Sequence, residues 1–421
     1  VMQTASATQG KQADIDVVII GAGPSGSIAA SLLHQAGKRV VVIEKQHFPR
    51  FSIGESLLPC CMQLIEEANM LDAVNAAGFQ FKNGAAFRYR DQYINFDFTD
   101  KFTPGPGTTF QVERGNFDKL LADTAAEQGV EIRYGETVES VDLSADPTLS
   151  IRDEAGKLYT IEAKYLLDAS GFGRVLPRLL NLEKPSNLAN RSAVFTHIQD
   201  NIGDKEVDGK PFDRNKILVS VHPKNRDIWY WLIPLSEGKC SLGVVGEPHL
   251  LSGLEDNLEE MLLDMVKQEP GLNQLLSDAE VLRECALLKG YSANVSTLAT
   301  DKFALLGNAG EFLDPVFSSG VTIAMQSASM AVKCIARQLN GTPVNWEQEY
   351  SIPLMRGVDT FRTYVEAWYD GRFQDVIFYD DPDNKIKQMI CSILAGYAWD
   401  ESNPFVNDSR KRLNLIVELC K

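Results

Sequence analysis

One short segment near the amino end narrows the possible folds more than any other. Residues 16–20 (Asp-Val-Val-Ile-Ile) are a mostly β-branched run, as a strand buried on both faces requires. The run enters Gly21-Ala22-Gly23-Pro24-Ser25-Gly26, after which residues 28–35 read as a helix ended by Gly37. A second apolar strand, residues 39–44, closes on the acid Glu44. Strand, glycine turn, helix, strand and acid in this order make a dinucleotide-binding unit. Gly21 permits the tight turn, Gly23 lets the backbone approach a pyrophosphate, and Gly26 lets helix pack closely on strand. The helix start offers free N–H groups and a positive dipole end to the anion. Glu44 stands where a carboxylate accepts hydrogen bonds from a ribose hydroxyl. This motif does not separate NAD from FAD. No second complete GxGxxG occurs, so one dinucleotide is expected in a Rossmann site.

The rest of the chain supplies the setting. At 421 residues it is too long for one simple core and predicts two or three lobes. A formal charge of −16 argues against nucleic acid as partner, because phosphate contacts need clustered Lys and Arg. Seven scattered cysteines without a CxxC pair suit a reduced, cytoplasmic compartment. No run of 18 apolar residues is present, so no membrane insertion is expected. Residues 1–12 read as a disordered tail with no signal peptide. The five histidines show no metal-ligand spacing, and no metal is expected.

Along the chain, residues 57–77 read as a helix, 116–128 as another, and 130–134 as a strand. Short alternating strands fill 138–161, and 165–168 is a further buried strand running into Ala169-Ser170-Gly171. Alternating apolar residues from 191 to 245 predict an antiparallel sheet. Residues 303–306 form a last short strand before a helix at 321–339, and 346–421 is mainly helical. The fold class is therefore mixed α/β: a Rossmann-like nucleotide domain from 14–180 and 285–345, a substrate-side antiparallel sheet from 80–108 and 185–284, and a helical carboxy-terminal region at 346–421.

Several later segments resemble the flavoprotein superfamily of aromatic hydroxylases, geranylgeranyl reductases and flavin-dependent halogenases. Gln111-Val112-Glu113-Arg114, with Phe117 and Asp118, resembles the segment whose arginine approaches the flavin. Asp168-Ala169-Ser170-Gly171 resembles the second FAD segment. Gly307-Asn308-Ala309 with Asp314-Pro315 and Ser319-Gly320 resembles the third, with Asn308 where the family usually has Asp. The resemblance selects FAD, and it implies cofactor-binding roles for Arg114, Asp168, Asn308, Asp314 and Gly320. A helix starting near Gly320 would aim N–H groups at the flavin and stabilise the charge of the reduced ring.

Two motifs resemble the halogenases more narrowly. Trp229-Tyr230-Trp231-Leu232-Ile233-Pro234 matches their WxWxIP pattern, whose rings separate substrate from flavin. Phe81-Lys82-Asn83-Gly84 resembles their FKxG segment, whose lysine meets hypohalous acid. Such a lysine sits partly dry, with its pKa lowered and its amine exposed as a nucleophile. Phe51-Ser52-Ile53-Gly54-Glu55-Ser56 resembles the GES loop near the flavin. The resemblance thus implies catalytic roles for Lys82, Trp229, Trp231 and Glu55. Tryptophan-specific members carry a glutamate after Asp-Pro, whereas this chain has Val316-Phe317-Ser318-Ser319, as in the phenol and pyrrole branch. The branch commonly has His where this chain has Thr322. The implied enzyme is an FAD-dependent monooxygenase of the halogenase type. Its implied partners are a halide ion, a separate flavin reductase and a small aromatic substrate, free or carrier-tethered. An aromatic hydroxylase, a geranylgeranyl-type reductase and a non-catalytic flavin protein remain as alternatives.

Overall fold

The computed structural model describes residues 14–290, 293–311 and 313–421; the expected tail at 1–12 lies outside them. β1 (Ile15–Ile20), α1 (Pro24–Gln35) and β2 (Val40–Glu44) form the expected opening unit. The helix begins at Pro24 rather than at residue 28, because Pro at the first helical position has φ preset and no N–H to lose. β1 lies between β2 and Leu158–Asp168, parallel to both, within a seven-stranded sheet. Glu131–Tyr134 extends the sheet beyond β2, and Phe303–Leu305 pairs with Leu158–Asp168.

Residues 165–168 are not a separate strand. They end one long strand, Leu158–Asp168, that serves two ladders. Residues 158–162 pair antiparallel with Thr148–Arg152, and from Ala163 onward the same strand runs parallel to β1. The expected helix over 57–77 also divides, into Cys60–Glu67 and Leu71–Ala76. Asn69 between them is left-handed at φ 56°, a conformation Asn tolerates better than most residues and one that ends a helix.

The second sheet has eight strands. Its main path runs Glu280–Val281, Ser192–Gln199, Lys239–Gly246, Trp229–Pro234, Lys216–Val221, Gly84–Tyr89 and Gln92–Asp97, with Ala286–Lys289 also paired to Ser192–Gln199. One pairing departs from the antiparallel expectation: Gly84–Tyr89 runs parallel to Lys216–Val221, two strands from distant parts of the chain. Period-two alternation gives this sheet two apolar faces. Phe195, Ile217, Val219, Trp229, Trp231 and Ile233 join the core shared with the nucleotide-type sheet. Val194, Leu218, Tyr230, Leu232 and Val244 pack on the far side, beneath the helices Leu258–Lys267 and Pro270–Leu275. The expected helical end is present, with Ile352–Tyr369, Arg372–Ile377, Asn384–Leu394 and Ser409–Leu419. Among the described residues no helix is long and apolar enough to cross a membrane.

Candidate active site

Between the two sheets lies a cavity of about 610 Å³. One end is walled by Gly21, Gly23 and Glu44, the other by Glu55, Phe195, Trp229 and Trp231. The glycine turn behaves as its chemistry demands. A Cβ on Gly26 would lie 2.0 Å from the carbonyl oxygen of Gly21, so no larger residue fits there. Gly21 has φ +100°, and its Cβ would meet Ala169 O at 2.4 Å. A Cβ on Gly23, by contrast, would meet only Arg50 Nη2, at 3.6 Å, so the backbone there is open to a ligand. Glu44 lines the cavity while its carboxylate accepts from Ala22 N–H at 3.0 Å and Gln46 N–H at 2.8 Å. The acid therefore also braces the glycine turn.

Positive charge gathers along the same wall. Arg114 lines the cavity and donates to both oxygens of Asp118, at 2.7 and 3.0 Å, and to Ile53 O at 2.7 Å. Arg50 shares that carboxylate, with Nη1 2.6 Å from Asp118 Oδ2. Asp118 is fully buried, so two guanidinium groups are held in fixed directions by charge-assisted bonds. Arg178 also lines the cavity. Arg50 and Arg178 belong to no motif in the sequence; only the fold brings them here. Three arginines, an open glycine turn and a helix start suit the pyrophosphate of FAD, and the residues present fit that cofactor.

Two expected cofactor residues stand behind the wall instead. The buried Asp168 carboxylate accepts from Ser170 N–H at 2.9 Å and Leu176 N–H at 2.8 Å. Burial raises its pKa, and these bonds oppose the rise. It shapes the loop whose Ser170 and Gly171 line the cavity. Asp314 likewise accepts from Val316 N–H at 3.0 Å and from the Tyr369 hydroxyl. Short polar side chains readily cap their own turns, and a buried carboxylate takes the nearest backbone donors. Asn308 and Gly320 do line the cavity, and Gly320 opens the helix Gly320–Leu339.

At the sheet end, Trp229 and Trp231 both face the cavity, while Tyr230 between them points away and donates to Met265 O at 2.6 Å. Trp231 Nε1 donates to Ser241 Oγ at 3.1 Å, and Trp229 Nε1 to Tyr369 Oη at 2.8 Å. Gly243 makes room for the second indole: a Cβ there would lie 2.3 Å from Trp231 Cε2. Glu55 lines the cavity beside His197, whose Nε2 is 2.5 Å from Glu55 Oε1. His197 carried no signal in the sequence except its place on the same strand face as Phe195.

Lys82 stands outside this wall. It lies on the small ribbon of Gln80–Lys82 and Thr109–Gln111, opposite Thr109. Its Nζ is fully buried and donates to Ser56 Oγ and Leu57 O, both at 2.7 Å. Ser56 lines the cavity and donates in turn to Gln111 Oε1 at 3.0 Å. Residues 55–57 run beside 110–112, with Val112 N–H donating to Glu55 O at 2.7 Å and Leu57 N–H to Phe110 O at 3.2 Å. That pairing fixes Ser56 between the lysine and the cavity. Burial pushes the Lys82 amine down to about 7, partly opposed by the neighbouring Cys61. Burial in turn pushes the Cys61 thiol up to about 12.

Residues 14–239 match the FAD binding domain family. The chain is 28% identical to the 1H-pyrrole-2-carbonyl-(peptidyl-carrier protein) chlorinase of Pseudomonas fluorescens, across 96% of this chain and 94% of that one. It is 31% identical to a flavin-dependent halogenase of Armillaria mellea, across 85% of this chain and 68% of the relative. Its structure superposes on that of a flavoprotein/dehydrogenase from Cytophaga hutchinsonii with a TM-score of 0.92 and 44% identity, covering 97% and 98% of the two chains. This chain belongs to the flavin-dependent halogenase family and is an FAD-dependent oxidoreductase.

Proposed function

We propose that the protein halogenates an electron-rich phenol- or pyrrole-type ring, free or carrier-tethered, with Lys82 as the group that holds the electrophilic halogen. The observation that carries this reading is the fully buried amine of Lys82, bonded to Ser56 of the cavity lining, where burial lowers its pKa to about 7. A neutral amine offers a lone pair to an electrophile, and a protonated one has none. FAD, reduced by a separate flavin reductase, supplies the two-electron chemistry by which oxygen oxidises halide, both oxygen atoms leaving as water. Arg50, Arg114 and Arg178 hold the anionic part of the cofactor, and the Gly23 backbone admits it. Trp229 and Trp231 close the sheet end with rings, excluding water and keeping the organic substrate from the cofactor. Ser56 leads from that space to Lys82.

Residues 316–319 carry no carboxylate that could activate an indole, which favours a ring activated by its own OH or NH. Incubation with FAD, a flavin reductase, NADH, oxygen and bromide, over a panel of phenols and pyrroles, tests the reading by mass spectrometry. A bromine mass shift that the Lys82→Ala protein lacks supports it. An added oxygen without bromine replaces it with a hydroxylase.

A further inference from the structure

The cavity holds a buried acid whose partner the proposed chemistry leaves unused. Glu55 is 2% exposed and lines the cavity at the tryptophan end. Its Oε1 lies 2.5 Å from Nε2 of His197, within direct proton-transfer reach. The two residues are 142 positions apart in sequence, so the pairing is made by the tertiary fold. Each is held from several sides. Glu55 is fixed through its backbone, which accepts from Val112 N–H at 2.7 Å. Its neighbours Ile53 and Gly54 accept from Arg114. His197 follows Phe195 by two residues on one strand face, and its ring meets the edge of Phe51 at 5.5 Å. Phe51 is stacked on Phe195 at 5.8 Å and covered by the Arg283 guanidinium at 3.4 Å. The histidine side chain keeps 13% exposure against 3% for the glutamate. One end of the pair therefore meets solvent and the other meets the cavity.

We infer that Glu55 and His197 form the proton-delivery pair of the cavity, with Glu55 the donor at the reaction end and His197 its link to solvent. The demand for a proton follows from the cofactor's chemistry with oxygen. When nothing intercepts the oxidant, FADH⁻ + O₂ + H⁺ gives FAD + H₂O₂, and the proton must enter a space walled by tryptophan and phenylalanine. In each turnover a proton crosses from Nε2 of His197 to the Glu55 carboxylate. It leaves that carboxylate for the oxygen-derived anion, and His197 takes a replacement from water. Atoms and charge balance with oxygen and one proton from solvent as the co-reactants.

The experiment has two arms. In the apo-protein, proton NMR should show one strongly downfield imidazole N–H that is absent from both Glu55→Gln and His197→Gln. In the holoprotein, dithionite-reduced FAD is mixed with oxygen in the absence of halide and aromatic substrate, and reoxidation is followed by absorbance. Glu55→Gln should slow reoxidation by roughly 100-fold, the scale of general acid catalysis. His197→Gln should slow it less, and Glu55→Asp should restore part of the rate. Formate should accelerate Glu55→Ala in proportion to its concentration, a response that a purely structural residue does not give. Reoxidation of Glu55→Gln and His197→Gln within twofold of the parent at equal FAD occupancy would overturn the inference. So would a downfield resonance that survives both substitutions. Because no halide is present, either result leaves the halogenation reading to its own assay.

Discussion

Lys82 Nζ donates to Ser56 Oγ at 2.7 Å, and of the two only Ser56 reaches the flavin cavity. The amine and the cofactor space are thus separated by a single hydroxyl. Substituting Ser56 by Ala removes that link while leaving Leu57 O as acceptor for the lysine. Halogenation should fall about tenfold, the equivalent of about 1.4 kcal/mol, and Ser56→Thr should recover most of it. FAD affinity, measured by absorbance titration, should stay within about twofold, because a single neutral hydrogen bond is worth only about 1 kcal/mol. Full activity in Ser56→Ala would remove Ser56 from the path.

Lys82 also links activity to pH. With its value lowered to about 7, the amine is protonated below that point and neutral above it. The halogenation rate should therefore rise with pH through about 7 and level off. The reduction of FAD by the flavin reductase added to the assay, measured separately, should not show the same step. A flat profile across this range would deny the neutral amine its role.

The same burial costs stability. Ionising Lys82 inside the fold is unfavourable by on the order of 5 kcal/mol relative to water. Between about pH 7 and 10.5 the unfolded chain binds a proton at this residue that the folded chain does not, so this group's contribution to stability improves as pH rises across that window. Lys82→Met should bind FAD, lose halogenation, and be at least as stable as the parent at pH 6. That advantage should shrink towards pH 10. Urea midpoints at pH 6 and pH 10 check it; a variant weaker than the parent at pH 6 contradicts it.

Gly23 and Gly26, in the same turn, should answer differently to one methyl group. Gly26→Ala drives Cβ to 2.0 Å from a backbone carbonyl and should lower stability by several kcal/mol or prevent folding. Gly23→Ala meets nothing closer than 3.6 Å, so the protein should fold normally. Its added methyl stands on the backbone proposed to meet the pyrophosphate, and FAD affinity should drop roughly tenfold or more. Circular dichroism and flavin titration separate the two cases.

Tyr369 connects the WxWxIP strand to the Asp-Pro turn, accepting from Trp229 Nε1 and donating to Asp314. Arg191 lies over its ring at 3.3 Å. Tyr369→Phe keeps the ring and removes the hydroxyl. Stability should fall by about 1–3 kcal/mol, with flavin still bound and more peroxide released per product as the Trp229 ring loses its tether. Unchanged denaturation and coupling would show that the tether is dispensable.

Parts of the fold and of the site are legible in the amino-acid order alone. The opening β1–α1–β2 unit and Glu44 can be read because strand, turn and helix preferences act over neighbouring residues. The shared face of Trp229 and Trp231 follows from the two-residue period of a strand. Asp168 and Asp314 are readable as part of flavin-type segments but not in their orientation. Both carboxylates turn to backbone N–H groups two to eight residues away. Asn69 breaks a helix that apolar spacing alone carries through.

By itself, then, the sequence determined the nucleotide-binding unit, the FAD-type segments in order and the residue types of the site, because these reside in local pattern and chemistry. Only the tertiary structure decided that Ser56 stands between Lys82 and the cavity, that Asp118 aims Arg50 and Arg114 together, and that Glu55 meets His197. The physical reason is that strand register and sheet-to-sheet packing bring together residues 26 to 142 positions apart. No spacing along the chain encodes which of those distant faces will be opposed.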